Sequence, residues 1–206
     1  MSYVKKYDVG GIRLDAPYTH FLYELPLLSF SDVQGSVGVS LVFHSGRNNN
    51  PFNISIGYKL NLQKRLILTS GGNPEKLEDG NGRIIDLISH GDRFTFDDDS
   101  QRIIRPYGNG FSLENPDCSK EIYDNLGRIT HVYDKYGNAY LTYSYINSKL
   151  DSITYGDHKV IKLNYFGSLG MLESMQYICD GTTICTTSLV YTGSANVTVY
   201  HYSGVN

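Results

Sequence analysis

The chain has 206 residues, 18 Lys and Arg against 21 Asp and Glu, and a formal net charge of -3. That length allows one domain or two small ones with a real core, and so balanced a charge excludes a nucleic-acid binder that relies on clustered basic residues to neutralise phosphates. With 18 Tyr, 8 Phe, no Trp and 21 Gly, the composition is that of β-sheet broken by many turns.

Taken from the start, "MSYVKKYDVGG" lacks the apolar core of a signal peptide. No later run approaches the roughly eighteen apolar residues of a membrane span. Helical periodicity is almost absent, because apolar residues recur at every second position and few windows escape Gly, Pro, Asn or Asp. "SVGVSLVF" places Val37, Val39, Leu41 and Phe43 on one face of a half-buried strand. "NISIGYKLNLQKRLIL" continues the alternation through Ile54, Ile56, Tyr58, Leu60 and Leu62, with a bulge expected near Lys64. Within it "QKRL" is the densest basic grouping, and it reads as a solvated strand edge. "SGRNNNPF" and "SGGNPEKLEDGNG" are loops. No helix follows "SGGNP", so it offers no phosphate cradle. "FDDDSQR" lacks the spacing of a calcium loop and reads as a solvated acidic turn.

From Gly82 onward the units shorten and begin to repeat. Ile129-x-x-Val132, Leu150-x-x-Ile153 and Leu172-x-x-Met175 follow one another at spacings of 21 and 22 residues. A second strand follows each turn, Leu141-x-Tyr143-x-Tyr145 and then Ile161-x-Leu163-x-Tyr165, with Leu189-x-Tyr191 as a stretched third copy. A strand, a turn and a strand in each unit describe a hairpin array. Gly137 suits the left-handed backbone angle of a tight turn. The Asp of each Tyr-Asp pair can accept bonds from amides inside the turn. Residues three apart on a straight strand face opposite sides. Leu150 and Ile153 therefore share a core only if a bulge separates them or both faces of the sheet are covered.

"YDNLGRITHVYDKYGNAYLTYSYINSKLDSITYG" resembles the RHS/YD-repeat family through Tyr123, Asp124, Gly127, Arg128, Ile129, Tyr133, Asp134, Gly137, Asn138, Tyr143, Tyr145, Leu150, Tyr155 and Gly156, and the pattern continues to Tyr165 and Leu172. Upstream, "LPLLSFSDVQGSVGVSLVFHSGRNNNPFNISIGYKLNL" and "LEDGNGRIIDLISHGDRFTF" are similar to the segments that precede such repeats. Gly57-Tyr58 stands where Gly-Trp is usual, Phe43-His44 where Tyr-Asn is common, and "YGDHKV" lacks the Tyr-Asp. The resemblance implies an all-β fold, an antiparallel β-hairpin repeat array forming a curved sheet or shell segment. Residues 1–116 would be the N-terminal region and 117–206 the YD-repeat array continuous with it. It also implies a secreted or cell-surface bacterial protein, a wall segment of a β shell that encapsulates or displays a toxin or effector. About fourteen strands at roughly 4.8 Å give a closed width of about 20 Å, less than the roughly 30 Å of a small folded domain. The expected partners are therefore other shell polypeptide, toxin cargo, or further copies joined through open strand edges.

No residue pattern supports catalysis, a cofactor or a metal. The histidines at 20, 44, 90, 131, 158 and 201 are scattered singly, and no Gly-x-Ser-x-Gly context is present. Asn53 and Asn196 head acceptor sequons, which matter only in a eukaryotic secretory setting. Cys118, Cys179 and Cys185 make no framework; a Cys179–Cys185 cross-hairpin disulfide is conceivable, and free thiols are the preferred reading. Exposed tyrosines are the one feature with binding value, since their rings stack on sugar faces. The competing expectation for Tyr143, Tyr145 and Tyr165 is packing on adjacent repeats. The functional expectation is thus a non-enzymatic wall piece, with a carbohydrate- or cell-surface-binding β module as the alternative.

Overall fold

The structure is a computed structural model that describes residues 3–6, 12–15, 20–32, 35–44, 51–52, 54, 57–98, 100–167, 170–191 and 197–203. Asn53, Asn196 and residues 45–50 of the first polar loop lie outside these, as do the side chains of His20 and His201. The protein is all-β, and each strand pairing it displays is antiparallel. Among the described residues the strands are β1 (Tyr3–Lys6), β2 (Ile12–Asp15), β3 (His20–Asp32), β4 (Gly35–His44), β5 (Tyr58–Leu60), β6 (Arg65–Leu68), β7 (Pro74–Glu78), β8 (Ile84–Ser89), β9 (Phe94–Phe96) and β10 (Ile103–Tyr107). They continue with β11 (Gly110–Glu114), β12 (Lys120–Tyr123), β13 (Ile129–Tyr133), β14 (Ala139–Ile146), β15 (Lys149–Tyr155), β16 (Lys159–Tyr165), β17 (Leu172–Cys179), β18 (Thr182–Tyr191) and β19 (Val197–Ser203).

Two compact units result, one of residues 1–62 with 144–206 and one of residues 63–143. The expected border at 116/117 falls inside the second. In the first unit β15 to β19 are neighbours in chain order and β1 lies beside β19, while β2, β3, β4 and β5 form a separate sheet. In β4, Val39, Ser40, Leu41 and Val42 are all buried. The predicted one-sided alternation is therefore replaced by a strand covered on both faces. The Ser40 amide lies within that ladder and is satisfied by the Asn61 side-chain oxygen at 2.9 Å. The strand expected to run through residues 53–68 with a bulge instead ends at Leu60, turns, and restarts as β6 at Arg65. A turn at Asn61–Leu62, rather than a single extra residue, absorbs the change of register.

In the second unit β6 to β13, and the start of β14, are neighbours in chain order. The sheet rolls until its first strand meets the turn before β13. The Leu66 amide donates to the Gly127 carbonyl at 2.8 Å, and Arg65 bridges Arg128. Eight strands enclose a space that side chains just fill, and Leu66, Leu77, Phe94, Phe96, Ile104, Leu113, Tyr123 and Ile129 are buried there. A methyl group on Gly127 would overlap the Leu66 carbonyl oxygen, so glycine permits this closure. The "QKRL" stretch is not a solvated edge. Gln63 and Leu66 are buried, Lys64 is ion-paired to Glu121, and Arg65 Nε donates to Glu78 Oε2 at 2.8 Å. Glu78 has no solvent exposure, and an unpaired carboxylate so placed would cost several kcal/mol, roughly 3 to 5. Arg65 balances it, and Lys64 does the same for the buried Glu121.

The structure also explains the three-residue spacing of the repeat. Ile129 and Val132 are both buried, as are Leu172 and Met175. On β13 the partners of Ile122 and Tyr123 are His131 and Ile129, which leaves Thr130 as the extra residue of a bulge. On β17 the partners of Asn164 and Tyr165 are Ser174 and Leu172, with Glu173 as the extra residue. One inserted residue returns the third position to the core face. Next to the second bulge the Tyr191 hydroxyl donates to the Leu172 carbonyl, and Tyr165 donates likewise to Leu150 at 2.6 Å. Burial raises the pKa of both phenols, so they remain donors.

Candidate functional site

The Tyr-Asp-x-x-Gly pattern is a turn with one bonding scheme. Five turns of the second unit share it: residues 69–73, 79–83, 115–119, 124–128 and 134–138. In each, the first amide donates to the fifth carbonyl and the fourth amide to the first carbonyl, at 2.8–3.1 Å. The fourth residue carries a positive φ, from 68° at Cys118 to 87° at Gly137. This is a type I turn closed by a left-handed residue. Asp124 Oδ1 accepts the amides of Leu126 and Arg128 at 3.0 and 2.9 Å. Asp134 Oδ1 accepts those of Tyr136 and Asn138, both at 2.9 Å. Their other oxygens take Arg128 Nε at 2.7 Å and Asn138 Nδ2 at 3.0 Å. Hydrogen bonds from Asn138 hold the Asp134 carboxyl below its ordinary range, and those from Ser119 do the same at Asp117.

Two of these turns border a groove of about 410 Å³ on the second unit, lined by Tyr107, Cys118, Lys120, Ile122 and the stretch Tyr133 to Gly137. Its size falls in the range of small-molecule sites. Tyr136 is 77% exposed and Tyr107 55%. The Lys135 ammonium stands 5.1 Å from the Tyr136 ring centre and that of Lys120 5.8 Å from the Tyr107 ring centre. Tyr133 stacks on His131 at 5.9 Å with the rings 23° apart. Lys120 also reaches Glu114 at 3.2 Å, a carboxylate shared with Arg105 at 3.8 Å.

Of the residues singled out in the sequence, Tyr133, Asp134 and Gly137 line this groove, and Asn138 closes the turn beside it. Asp124, Gly127 and Arg128 build the preceding turn. Arg128 pairs with Asp124 at 2.6 Å. Tyr123, Ile129, Tyr143, Leu150, Tyr155 and Leu172 are buried, Tyr145 and Tyr165 are half-buried, and Gly156 takes a φ of 57° at the start of its turn. The burial of Tyr143 and the Tyr165 bond to a backbone carbonyl favour packing over ligand contact for these rings. Tyr107, Lys120 and Tyr136 were not foreseen as site residues. For the two tyrosines the signal was the tripeptide Tyr-Gly-Asn, present at 107–109 and again at 136–138, whereas no pattern marks Lys120. A tyrosine just before a turn glycine has little sheet face to pack against.

The three thiols are free. Cys179 pairs in register with Thr182 and Cys185 with Tyr177, so they do not oppose one another. At the acidic turn, Asp98 is bonded to Arg102 at 2.8 Å, while Asp99 lies outside the described residues. Among the described residues no group of His, Cys, Asp and Glu could hold a metal ion, and no helix is long and apolar enough to cross a membrane.

No protein-family model matches the chain, and no curated protein matches it in sequence. Among solved structures it is similar to the N-terminal domain of the effector protein SpvB from Salmonella typhimurium strain LT2. The TM-score is 0.56 with 11% sequence identity, over 86% of this chain and 96% of that one. At that identity the likeness concerns the fold alone.

Proposed function

We propose that the chain is a non-enzymatic structural repeat protein, a wall segment of an RHS-type β shell or the segment leading into the wall, which encapsulates or displays a toxin or effector. The observation that carries this reading is the strand order. Hairpins follow one another in chain order through β6 to β13 and through β15 to β19, and five turns of residues 63–143 share one design. Such an array is extended by adding hairpins and needs no catalytic site. The rolled sheet of residues 63–143 is filled by its own side chains, so the cavity would be built with other polypeptide. Among the described residues β1, β2 and β5 each have one partner strand, and such edges accept further strands.

The test is to purify the polypeptide of the same reading frame together with its neighbouring product and image it by electron microscopy. A hollow particle with this chain in its wall is the expected result. A compact monomer that associates with no further polypeptide overturns the proposal.

The groove favours a second reading, a carbohydrate- or cell-surface-binding β module using exposed tyrosines. Its rings are Tyr107 and Tyr136, which the turns hold out to solvent. An oligosaccharide array probed with the chain should retain it, and a Tyr107→Ala, Tyr136→Ala double variant should not be retained. Equal retention of both proteins rejects this reading.

A further inference from the structure

Resting on the wall-segment reading for the source of its partner, we infer that the outer edge of β3 at Ser29 and Ser31 is a strand-addition site. It takes an extended segment of another polypeptide that alternates apolar and small residues and carries a basic residue beside Asp32. β3 pairs with β2 from His20 to Tyr23 and with β4 from Leu22 to Asp32. From Glu24 onward its far side therefore has no strand beside it among the described residues. Which main-chain groups face that side follows from the opposite edge of the hairpin. On β4 the Gly38 carbonyl accepts Asn61 Nδ2 at 2.9 Å. The Ser40 amide donates to Asn61 Oδ1 at 2.9 Å and its carbonyl accepts the Asn61 amide at 3.0 Å. Gly38 and Ser40 thus point away from β3, and by alternation Val37 and Val39 point towards it. Their register partners, Phe30 and Leu28, turn their main-chain groups to β4. Ser29 and Ser31 turn theirs outward. One edge of the ribbon is closed by a side chain, and the other offers two amides and two carbonyls. Pro26, with no N–H, and the bulge at Leu27 blunt the part of the edge nearer β2. Beyond them Leu28 to Asp32 carries neither device, and from Leu14 to Gly46 the chain has no lysine or arginine to guard it.

Strand addition takes its affinity from main-chain bonds and its selectivity from alternate side chains. By register Leu28 and Phe30 lie on the face of the buried Val39, whereas Ser29 lies on the other face and is exposed, as is its partner Gly38. An added strand therefore continues an apolar row on one face and a small polar row on the other. Glu24 and Asp32 are the charged residues of this part of β3, and both are acids, so a basic residue at the end of the added strand is favoured. A second copy of this chain fits less well. Antiparallel pairing of two β3 strands about Phe30 sets Leu28 opposite Asp32 twice and brings acids to acids.

The experiment titrates the whole chain with two capped peptides of alternating serine and valine, one flanked at both ends by lysine and the other by glutamate, following the Ser29 and Ser31 amides by NMR. The lysine peptide is expected to shift both amides, slow their exchange with deuterium and bind more tightly than the glutamate peptide. Ser29→Pro removes one outward donor and leaves the β3–β4 bonds in place, so it should weaken binding about fivefold, the effect of one hydrogen bond. An unchanged circular dichroism spectrum confirms that this variant is folded; if it is not, the comparison of the two peptides on the unaltered chain decides. No shift at Ser29 and Ser31 overturns the site. Equal binding of the two peptides overturns the basic character of the partner and with it the inference. Self-association in sedimentation that the lysine peptide does not reverse gives the edge to a second copy and overturns it as well. A hollow particle formed equally well by the Ser29→Pro chain rejects this site while the wall reading stands, whereas peptide binding without any particle rejects the wall reading alone.

Discussion

Two glycines at the same position of the same turn do different work. Gly127 and Gly137 have φ values of 77° and 87°. Around Gly137 there is open space, whereas a methyl on Gly127 would run into the backbone oxygen and carbonyl carbon of Leu66. Gly137→Ala should therefore lose only the left-handed backbone preference, about 1 kcal/mol. Gly127→Ala meets backbone that cannot swing aside and should cost more than about 3 kcal/mol. Urea unfolding of the two variants measures the difference directly. Similar midpoints would mean that the contact with β6 is not made.

At the scale of the hairpin, the turns 115–119 and 134–138 are each held by a carboxylate that prefers to be ionised. Asp134, through Asn138, and Asp117, through Ser119, hold their protons less tightly than they would in the unfolded chain, where Asp titrates near 3.9, or roughly pH 4. Their contribution to stability is therefore whole above about pH 4 and is lost as pH falls through the lower folded values. Urea midpoints measured from pH 7 down to pH 3 should drop over that acid range. An Asp117→Asn, Asp134→Asn double variant should start lower and drop less. A slope unchanged by the substitutions would show that other carboxyls carry it. The same hairpins show how far pattern reading reaches. Asp, Gly and a period near twenty-one residues announce the turns directly, because turn chemistry is local. The bulges at Thr130 and Glu173 are announced only as a puzzle, two apolar residues three apart that must share a core.

At the scale of the whole molecule the decisive contacts are far apart in sequence. Lys64 meets Glu121, Leu66 meets Gly127, and β1 pairs with β19 from Tyr3 opposite Ser203 to Lys6 opposite Tyr200. The first two close the sheet of residues 63–143 on itself and remove an edge that would otherwise invite pairing. The Leu66 amide, although on the first strand of that unit, should then exchange with deuterium as slowly as amides of the central β10–β11 pair. Exchange at the rate of a frayed edge would show that the roll is open in solution.

The amino-acid order by itself determined that this is an antiparallel hairpin protein and where the repeat turns. Those are matters of local φ preference and of apolar alternation along a strand. The tertiary structure alone decided that "QKRL" is an interior pairing partner and not a solvated edge, since the buried charges of Glu78 and Glu121 lie 13 and 57 residues from Arg65 and Lys64. It also decided which of the 18 tyrosines face a groove. A tyrosine reads the same in sequence whether its ring is covered by the next strand or held out by a turn, and only the folded neighbours distinguish the two.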